Sequence, residues 1–556
     1  MYAIKLSVAV LFLGFVSFSW QREQFPRVRT SLGDISGYYK TSRVGKKYEA
    51  YEGIPYAEPP VGELRFEPPK PVQTWENELP ARKKGSPCMQ FLMSFEAKGG
   101  DRIIGCEDCL YVNVYASIRN NSDVLLPVIF WIHGGAFQFG TGNQADETLM
   151  MDRNIVFVTF NYRLGPFGFL STEDSVVPGN MGLKDQNLAL RWVYNNIEKF
   201  GGDSKKITLL GLSAGGTSVH YHYLSPLSAG LFQRGISISG HTLNPRSQTK
   251  RASEKAKKFA ALMGCPSDNS EKMIACLKDR PPRAMSQAVA EFMYWQYNPC
   301  TPFGPVVEKQ GSNPFINRSP FKIISSGDVL DVPWITGIVS EEGLFPTAEY
   351  VANDNLLKVL NDNWIDLAPY VLSFNDSVPL EEQKQVAEEI REFYFGSNRI
   401  DSDTISLIRM IGDRNYGVGF EKASRLQAKV NKSPVWTYYY SYRAFHSLSE
   451  AMSGSKKNFG VSHGDDAFLV LDKNISNTTK PDDLKMQQYL VDLYTSFAIQ
   501  GEPNVDQAEW QRLNSEGDFH YLHIASPKSI SMESNRNFAR KNFWSRINFH
   551  EEDLLS

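Results

Sequence analysis

A serine flanked by glycines has the clearest chemical use in this chain. Gly211, Ser213 and Gly215 have the spacing G-x-S-x-G, between the apolar run 207–210 and residues compatible with a helix. A serine at such a sharp strand-to-helix turn is pushed out of the sheet, and only glycine leaves room for strand and helix to approach. The helix N-terminus then offers backbone N–H groups to developing negative charge. The pattern predicts that Ser213 is a nucleophile.

A second glycine motif lies upstream, where the apolar run 127–132 ends in the tripeptide His-Gly-Gly at 133–135. Loops of this kind supply amide N–H groups to an oxyanion hole. Glycine lets the backbone turn its N–H groups toward a substrate carbonyl without side chains in the way. We therefore expect the amides of Gly134, Gly135 and Ala214 to hold a tetrahedral oxyanion.

A serine nucleophile needs a base and an acid that orients the base. In the α/β-hydrolases, which combine these two motifs, the chain order is serine, acid, histidine. The predicted strand 332–339 leads into Glu341 and Glu342, and either carboxylate is placed to fix an imidazole. Of the five histidines that follow, only His463 lies in a loop flanked by glycines, after the predicted strand 435–440.

The elements that position these residues are four apolar runs, at 127–132, 207–212, 332–339 and 435–440. Each is predicted to be a strand followed by a loop that carries a functional group. The length of 556 residues suggests several domains, but length is a poor guide to the number of domains in large open-sheet enzymes. Because the chain has no internal repeat, low-complexity tract or Gly/Ser-rich linker, we expect one catalytic domain over residues 20–556.

Further motifs carry a family resemblance that runs from about Gly33 to about Asn548. They are Tyr51–Ala57, Pro59–Gly62, Leu64–Phe66, Glu107–Leu110 and Asn161–Gly165, together with the serine, glycine and histidine loops above. The chain resembles the type-B carboxylesterase and cholinesterase family of the α/β-hydrolase fold. It is most similar to secreted insect esterases such as hymenopteran venom carboxylesterases, with juvenile hormone esterases as more distant relatives. The resemblance implies a large, mixed, mostly parallel sheet flanked by helices, with helical insertions around an active-site gorge.

The resemblance also implies the roles of the site residues. It identifies Ser213 as the nucleophile, His463 as the base and Glu342 as the acid, since the family's acid directly precedes a glycine. Glu341 is then expected to be a solvated loop charge. The expected reaction is hydrolysis of a small carboxylic ester through an acyl-enzyme.

Neither a metal ion nor an organic cofactor is expected, because the reaction needs none. His220 and His222 could suggest a metal site. Side chains two positions apart on a helix point to different faces, however, so helix packing is the better interpretation.

The six cysteines fit an oxidising compartment, where most should pair. The family pattern pairs Cys88 with Cys109, and Cys265 with Cys276. Cys106 and Cys300 have no family counterpart: they are free thiols, or they pair with each other, or Cys106 replaces Cys109 as the partner of Cys88.

An ion pair is also expected from the resemblance. In relatives, the residues matching Arg65 and Glu107 form a buried pair that ties the N-terminal region to the first disulfide loop. We interpret both residues as structural rather than catalytic.

The N-terminus predicts secretion. Met1–Lys5 is weakly basic and precedes the short apolar run Leu6–Phe18, which is typical of a signal peptide over residues 1–19. A membrane anchor is the alternative, but the run is too short to span a bilayer comfortably. No later segment is apolar enough to span, so we expect an extracellular protein of a fluid such as venom or haemolymph.

Charge and sequons agree with a secreted protein. The formal net charge of -3, from 59 basic and 62 acidic residues, argues against nucleic acid or an anionic membrane as partner. N-glycosylation sequons predict a glycoprotein, with acceptors at Asn120, Asn317, Asn375, Asn431, Asn474 and Asn477. The oligomeric state stays open.

Departures from the family pattern narrow the substrate. The loop between Cys88 and Cys109 has no tryptophan to bind a quaternary ammonium by cation–π attraction, which argues against choline esters. Leu212 stands where juvenile hormone esterases have glutamine, which argues against juvenile hormone as the substrate. Three aromatic residues either line an apolar substrate pocket or belong to the core: Phe137, Phe303 and Phe345. A neutral carboxylic ester with apolar groups is the expected substrate.

Two other functions remain possible from the sequence. One is a specialised hormone or odorant esterase of the juvenile hormone type. The other is a non-catalytic adhesion or carrier protein that keeps the fold, although such proteins typically lack the nucleophile or the histidine.

Overall fold

The computed structural model describes residues 25–93, 101–119, 121, 123–504 and 507–551. The predicted signal peptide over residues 1–19 and the predicted glycosylation acceptor Asn120 lie outside this part of the chain.

An eleven-stranded sheet forms the centre of the molecule. Its strands β1 to β11 are, in chain order, Tyr38–Thr41, Lys47–Pro55, Tyr111–Ser117, Leu126–Ile132, Val156–Phe160, Gly202–Leu212, Arg234–Ile238, Trp334–Val339, Val435–Tyr440, Phe519–Ser526 and Ser529–Asn535. In space the order is β1-β2-β3-β5-β4-β6-β7-β8-β9-β10-β11. The neighbouring strands from β5 to β10 are parallel, and the remaining pairings are antiparallel. This confirms the predicted mixed, mostly parallel α/β fold.

Helices and smaller sheets surround the central sheet. The α-helices α1 to α18 are Gly165–Phe169, Met181–Asn196, Ala214–Leu224, Ala252–Leu262, Ser270–Lys278, Pro282–Ala288, Pro320–Ser326, Leu344–Val351, Asp354–Asp362, Trp364–Val371, Leu380–Phe395, Thr404–Gly412, Val418–Val430, Leu448–Ser453, Asp465–Leu471, Lys473–Ser476, Pro481–Gln500 and Lys541–Trp544. Short 3₁₀ helices cover Gly62–Leu64, Gly142–Gln144, Met150–Asp152, Ile197–Phe200, Pro226–Ser228, Val289–Phe292, Ile400–Ser402 and Phe538–Arg540, and a π-helical turn covers Asp413–Gly417. Two small sheets contain the strands Arg27–Arg29, Asp34–Ser36 and Leu79–Pro80, and the strands Gln90–Phe91 and Ile103–Ile104.

Both faces of the central sheet are buried, which explains the unbroken apolar runs of its strands. In β4, Val128, Phe130 and Ile132 belong to one hydrophobic core, whereas Ile129 and Trp131 belong to another. Successive side chains of a strand point to opposite faces, so the two cores lie on the two sides of the sheet. Helices α2 and α3 contribute to the first core and α17 to the second.

The expected helical insertions follow the late strands of the sheet. Helices α8 to α13 and the π-helical turn lie between β8 and β9, and α14 to α17 lie between β9 and β10. Helices α8 and α14 contact one another, so these two insertions meet. Among the described helices, none is long and apolar enough to cross a membrane.

Two disulfides close short loops on this frame. Cys88 bonds to Cys109, and Cys265 bonds to Cys276, which is the pairing that the family pattern implies. The half-buried Cys106 and the buried Cys300 are free thiols, so neither of the alternative pairings is present.

The ion pair of Arg65 extends further than the resemblance implies. Its guanidinium donates two hydrogen bonds to the Glu107 carboxylate, at 2.5 and 2.6 Å. Its remaining amino group donates to the carbonyl oxygens of Leu277 at 3.0 Å and Arg280 at 2.7 Å. These carbonyls lie at and just after the end of α5, beside the second disulfide. Arg65 therefore joins the two disulfide-bonded regions as well as the N-terminal segment.

Replacing Glu107 by Gln should lower the free energy of unfolding by about 3–5 kcal/mol, because the buried Arg65 charge loses its carboxylate. Urea unfolding measures the change. Glu63→Gln is the matched control, since its carboxylate is exposed and, among the described residues, pairs with Lys278 alone, at 3.6 Å. Equal losses in the two variants would contradict this role for Arg65.

Candidate active site

Ser213 stands at a strained turn between β6 and α3. Its backbone has φ 59° and ψ −121°, a conformation that non-glycine residues seldom adopt. A Cβ atom on Gly211 would overlap the carbonyl oxygen of Gly215, and one on Gly215 would overlap the carbonyl oxygen of Ile132. The two glycines therefore allow β6, α3 and β4 to meet, which is the steric reason predicted for the motif.

The glycine loop after β4 lies against this turn. A Cβ atom on Gly134 would stand 3.1 Å from Cβ of Ser213. Gly135 has φ +111°, which favours glycine. Ala214 is the first residue of α3, so its N–H is one of those that a helix N-terminus leaves without an intrahelical partner. The structure thus brings the three predicted amide donors to the surroundings of the serine.

His133 supports the glycine loop rather than the chemistry. Its ring stacks on Tyr162 at a centroid distance of 4.3 Å, and its Nδ1 lies 2.9 Å from the carbonyl oxygen of Gly134. Burial lowers the pKa of His133 to about 4, so the ring is neutral at pH 7 and Nδ1–H donates to that carbonyl.

Glu342 and His463 meet in a buried hydrogen bond. Nδ1 of His463 lies 2.5 Å from Oε2 of Glu342, and the two side chains are 5% and 2% exposed. The other carboxylate oxygen accepts the backbone N–H of Val339 at 3.0 Å. Because the carboxylate accepts from Nδ1, the proton of a neutral ring stays there and Nε2 is left as the basic nitrogen. Nε2 has no hydrogen-bond partner among the described residues.

Glu341 is not the solvated loop charge expected from the sequence. It is half-buried, and its carboxylate accepts the backbone N–H of Val461 at 2.7 Å. Its own N–H donates to the carbonyl oxygen of Val461 at 3.1 Å. Glu341, the residue before Glu342, thus pairs with the residues before His463. It therefore anchors the loop that carries the histidine.

Asp465 is a second anchor of the histidine loop and was not predicted from the sequence. Its carboxylate accepts hydrogen bonds from the hydroxyl of Ser447 at 2.7 Å, from the N–H of Leu448 at 2.8 Å and from the N–H of Ser462 at 2.8 Å. It thus ties the start of α14 to the residue before His463. The acidic pair Asp465-Asp466, directly after His463-Gly464, is the sequence feature from which this anchor could have been predicted.

Two aromatic rings flank the imidazole. Phe345 lies at 5.4 Å and Tyr416 at 4.9 Å from the ring of His463, between centroids. Tyr416 belongs to the π-helical turn, a rare element that is frequent at functional sites. No pattern in the sequence pointed to Tyr416.

The serine and the imidazole open into one cavity of about 660 Å³. Gly134 and Gly135 line it as well, and most of the remaining wall is apolar, with contributions from Trp131, Leu212, Phe345, Met452, Phe468 and Ile475. Cavities of this size hold small organic molecules. The site can therefore present a serine, an imidazole and backbone amides to an apolar ligand.

Only one of the three phenylalanines considered from the sequence lines this cavity. Phe345 does so, whereas Phe137 packs edge-on against Phe169 at 5.1 Å and Phe303 against Phe292 at 4.9 Å. Phe137 and Phe303 are therefore core residues.

His220 and His222 have separate partners inside the core. His220 stacks on Trp334 at 4.4 Å, and Nδ1 of His222 lies 2.7 Å from the hydroxyl of Ser228. Burial lowers the pKa of each to about 3. The described residues contain no cluster of His, Cys, Asp and Glu that could hold a metal ion.

Five of the predicted glycosylation acceptors lie in the described chain. Asn317, Asn474 and Asn477 are exposed, and Asn375 is half-buried. The amide nitrogen of Asn431 is buried, so this residue is the poorest acceptor in the folded protein. Asn474 also lines the cavity that contains Ser213, so a glycan there would stand at its rim.

Comparison with known proteins gives consistent matches. A family model described as the carboxylesterase family matches residues 24–544. A carboxylic ester hydrolase of Bombus ignitus is 62% identical over 99% of both chains, and venom carboxylesterase-6 of Apis mellifera is 61% identical over 100% of both. Among solved structures, juvenile hormone esterase of Manduca sexta with OTFP covalently attached superposes with a TM-score of 0.81 at 25% identity, covering 94% of this chain and 99% of that one.

The Asp465 anchor predicts a pH dependence of stability. Burial raises the pKa of Asp465 to about 7 although three donors oppose the shift, whereas an unfolded Asp titrates near 3.9. The folded chain therefore binds more protons between these values, and its free energy of unfolding falls as pH rises, by up to about 1.4 kcal/mol per pH unit. Urea unfolding at several pH values between 4 and 7 should show a smaller slope in Asp465→Asn than in the wild type.

Asp482→Asn is the control for this experiment, because Asp482 is an exposed aspartate at the start of α17. It should leave the slope unchanged. Equal slopes in the wild type and Asp465→Asn would show that Asp465 does not titrate in this range.

Proposed function

Because the chain belongs to the carboxylesterase family, we propose that it hydrolyses carboxylic esters through an acyl-enzyme on Ser213. His463 is the general base, Glu342 orients it, and the amides of Gly134, Gly135 and Ala214 form the oxyanion hole. The observation that carries these roles is the 2.5 Å hydrogen bond between Nδ1 of His463 and the Glu342 carboxylate. The imidazole of His463 lines the same cavity as Ser213.

The mechanism follows from this arrangement. Nε2 of His463 takes the Ser213 proton as the hydroxyl oxygen attacks the ester carbonyl, and Glu342 stabilises the imidazolium that forms. The same nitrogen returns the proton to the departing alcohol. Water then attacks the acyl-enzyme in the same two steps and releases the carboxylate.

Amide donors on rigid backbone account for the remaining stabilisation. The oxyanion of each tetrahedral intermediate accepts hydrogen bonds from the glycine loop and from the N-terminus of α3. Loss of one such donor typically costs a factor of about 10² to 10³ in turnover. The stacked, neutral His133 helps to hold the loop in place.

We propose that the substrate is a neutral ester with apolar groups. Leu212, Phe345 and Phe468 line the same cavity as Ser213, and these side chains cannot solvate a charge. The 61–62% identity to a carboxylic ester hydrolase and a venom carboxylesterase, against 34% and 25% to two juvenile hormone esterases, favours a general carboxylesterase over a specialised hormone esterase.

We also propose that the protein is secreted as one catalytic domain over residues 20–556. The predicted signal peptide at 1–19 and two disulfides, which persist in oxidising compartments, support secretion. The Apis mellifera relative is named a venom carboxylesterase, which agrees with an extracellular location.

A fluorophosphonate probe tests the nucleophile directly. The wild type should be labelled at Ser213, and Ser213→Ala should take up no label while unfolding at a similar temperature. His463→Gln should react very slowly, because no base removes the hydroxyl proton. A folded wild type that resists the probe would favour a non-catalytic binding protein of the same fold.

The acid is tested by comparing the two neighbouring glutamates. Glu342→Gln should lower kcat by several orders of magnitude, because an amide cannot hold the imidazolium in its charged form. Glu341→Gln keeps the Glu342–His463 bond and should cost far less, since the hydrogen bonds of the Glu341 carboxylate within the described chain go to Ser340 and to the backbone of the histidine loop. Hydrolysis of a short-chain nitrophenyl ester measures both, and equal losses would refute the assignment of Glu342.

A further inference from the structure

Gln90 is a buried residue beside the catalytic cavity that the proposed mechanism does not use. It lies in the short strand Gln90–Phe91, inside the loop closed by the Cys88–Cys109 disulfide, and it is 3% exposed. It lines the same cavity as Ser213. A buried carboxamide has two donor hydrogens and an acceptor oxygen to satisfy, so its partners show which part of the structure it holds in place.

The carboxamide of Gln90 pairs with both backbone groups of Gly140. Its Nε2 donates to the carbonyl oxygen of Gly140 at 3.0 Å, and its Oε1 accepts the N–H of Gly140 at 2.8 Å. The second hydrogen of Nε2 goes to the carbonyl oxygen of Cys88 at 2.8 Å. The side chain thus pairs with Gly140 as the backbone of a neighbouring strand would, because a carboxamide presents a donor and an acceptor side by side.

Gly140 packs directly against the peptide that carries one of the proposed oxyanion donors. A Cβ atom on Gly140, which has φ +113°, would overlap the carbonyl oxygen of Gly134 and Nδ1 of His133. A Cβ atom on Gly135 would likewise overlap the carbonyl oxygen of Phe139. The end of the glycine loop is therefore in close contact with its start.

The position of this peptide sets the direction of a donor. The C=O and N–H groups of a trans peptide point in opposite directions, so the contacts that hold the Gly134 carbonyl also aim the Gly135 N–H. Nδ1 of His133 lies 2.9 Å from that carbonyl oxygen, and Gly140 packs beside it. Gly134 also meets the end of β6, since a Cβ atom on it would stand 2.7 Å from the carbonyl oxygen of Leu212. The peptide is thus confined between the end of its own loop and the turn of the nucleophile.

The segment that carries Gln90 is itself firmly held. Gln90 pairs with Ile104 in an antiparallel register, and the N–H of Met89 donates to the carbonyl oxygen of Cys106 at 2.9 Å. The disulfide of Cys88 fixes the same segment two residues away. A side chain on such a frame holds its partner with little freedom, which is what preorganised stabilisation of a transition state requires.

We propose that Gln90 is a positioning residue for the oxyanion hole. By pairing with Gly140, it keeps the glycine loop against the turn of Ser213 and the Gly135 N–H aimed at the oxyanion. It acts through the loop and not on the reacting atoms. The inference rests on the ester hydrolysis proposed above, and it gives the first disulfide loop a part in catalysis.

Replacing Gln90 by Met keeps the length of the side chain and removes its three hydrogen bonds. Because acylation and deacylation both pass through an oxyanion, Gln90→Met should lower kcat about 10- to 100-fold and leave KM within about twofold. Hydrolysis of a short-chain nitrophenyl ester by the full-length chain measures both constants. Gln90→Asn has an amide that is one methylene too short to reach both groups of Gly140. It should lower kcat in the same way, and it serves as the test if Gln90→Met does not fold.

A pair of ketones gives a readout that a purely structural role would not change. The Ser213 oxygen adds to the carbonyl carbon of trifluoroacetophenone, its proton moves to Nε2 of His463, and the carbonyl π electron pair becomes the lone pair of an oxyanion. Acetophenone has a similar size but forms no stable adduct of this kind. In Gln90→Met, the inhibition constant of trifluoroacetophenone should rise by the factor by which kcat/KM falls, and that of acetophenone should stay the same.

Gln383→Met is the matched control. Gln383 is a half-buried glutamine of α11 whose Nε2 also donates to backbone carbonyl oxygens, those of Asn375 at 3.2 Å and Val378 at 2.9 Å. It is not among the described residues that line the cavity of Ser213. Thermal unfolding of both variants measures their losses of stability, and Gln383→Met should keep the kcat of the wild type and its discrimination between the ketones.

Three outcomes would overturn the inference alone: an unchanged kcat in folded Gln90→Met, a raised KM at constant kcat, or equal weakening of both ketones. Gln90 would then be a structural residue or a simple wall contact. A wild type that hydrolyses no ester and does not distinguish the two ketones would overturn the proposed ester hydrolysis, and this inference with it.

Discussion

The buried bond between Glu342 and His463 is the interaction on which the rest of the site depends. A carboxylate removed from water is stable only when hydrogen-bond donors surround it. Glu342 receives the imidazole N–H and the backbone N–H of Val339. These two donors determine the position of the acid at the end of β8, the tautomer of the ring and hence the nitrogen that faces the substrate cavity.

The sheet makes this meeting possible by bringing distant segments to one edge. Strands β4, β6 and β8 belong to the same run of parallel strands, and the glycine loop, the serine and the acid follow directly at their carboxyl ends. Ser213 keeps its left-handed backbone because the surrounding packing leaves no alternative, and the glycines beside it permit contacts between β4, β6 and α3 that no side chain would allow. Strain at the serine is thus offset by a well-packed frame.

Ion pairs and hydrogen bonds of buried charged side chains join segments that are far apart in the chain. Arg65 links the two disulfide regions, Asp465 links α14 to the histidine loop, and Glu551 links the C-terminal segment to Arg414. Arg414 lies in the same π-helical turn as Tyr416, whose ring packs on His463. One short element therefore carries both the partner of Glu551 and a ring that packs on the catalytic imidazole.

The sequence alone determined the features that depend on local order. The glycine spacing around Ser213, the glycine loop at 133–135 and the order of serine, acid and histidine follow from what a strand, a turn and a helix require of neighbouring residues. Tertiary structure decided which side chains meet. Glu342 and His463 are 121 positions apart, and apart from the family's glutamate–glycine pattern no feature of the local sequence distinguishes Glu342 from Glu341. None distinguishes Phe345 from Phe137 and Phe303, or Tyr416 from the other tyrosines. Their contacts depend on strand order and on how the insertions pack over the sheet, and periodicity along the chain carries no information about either.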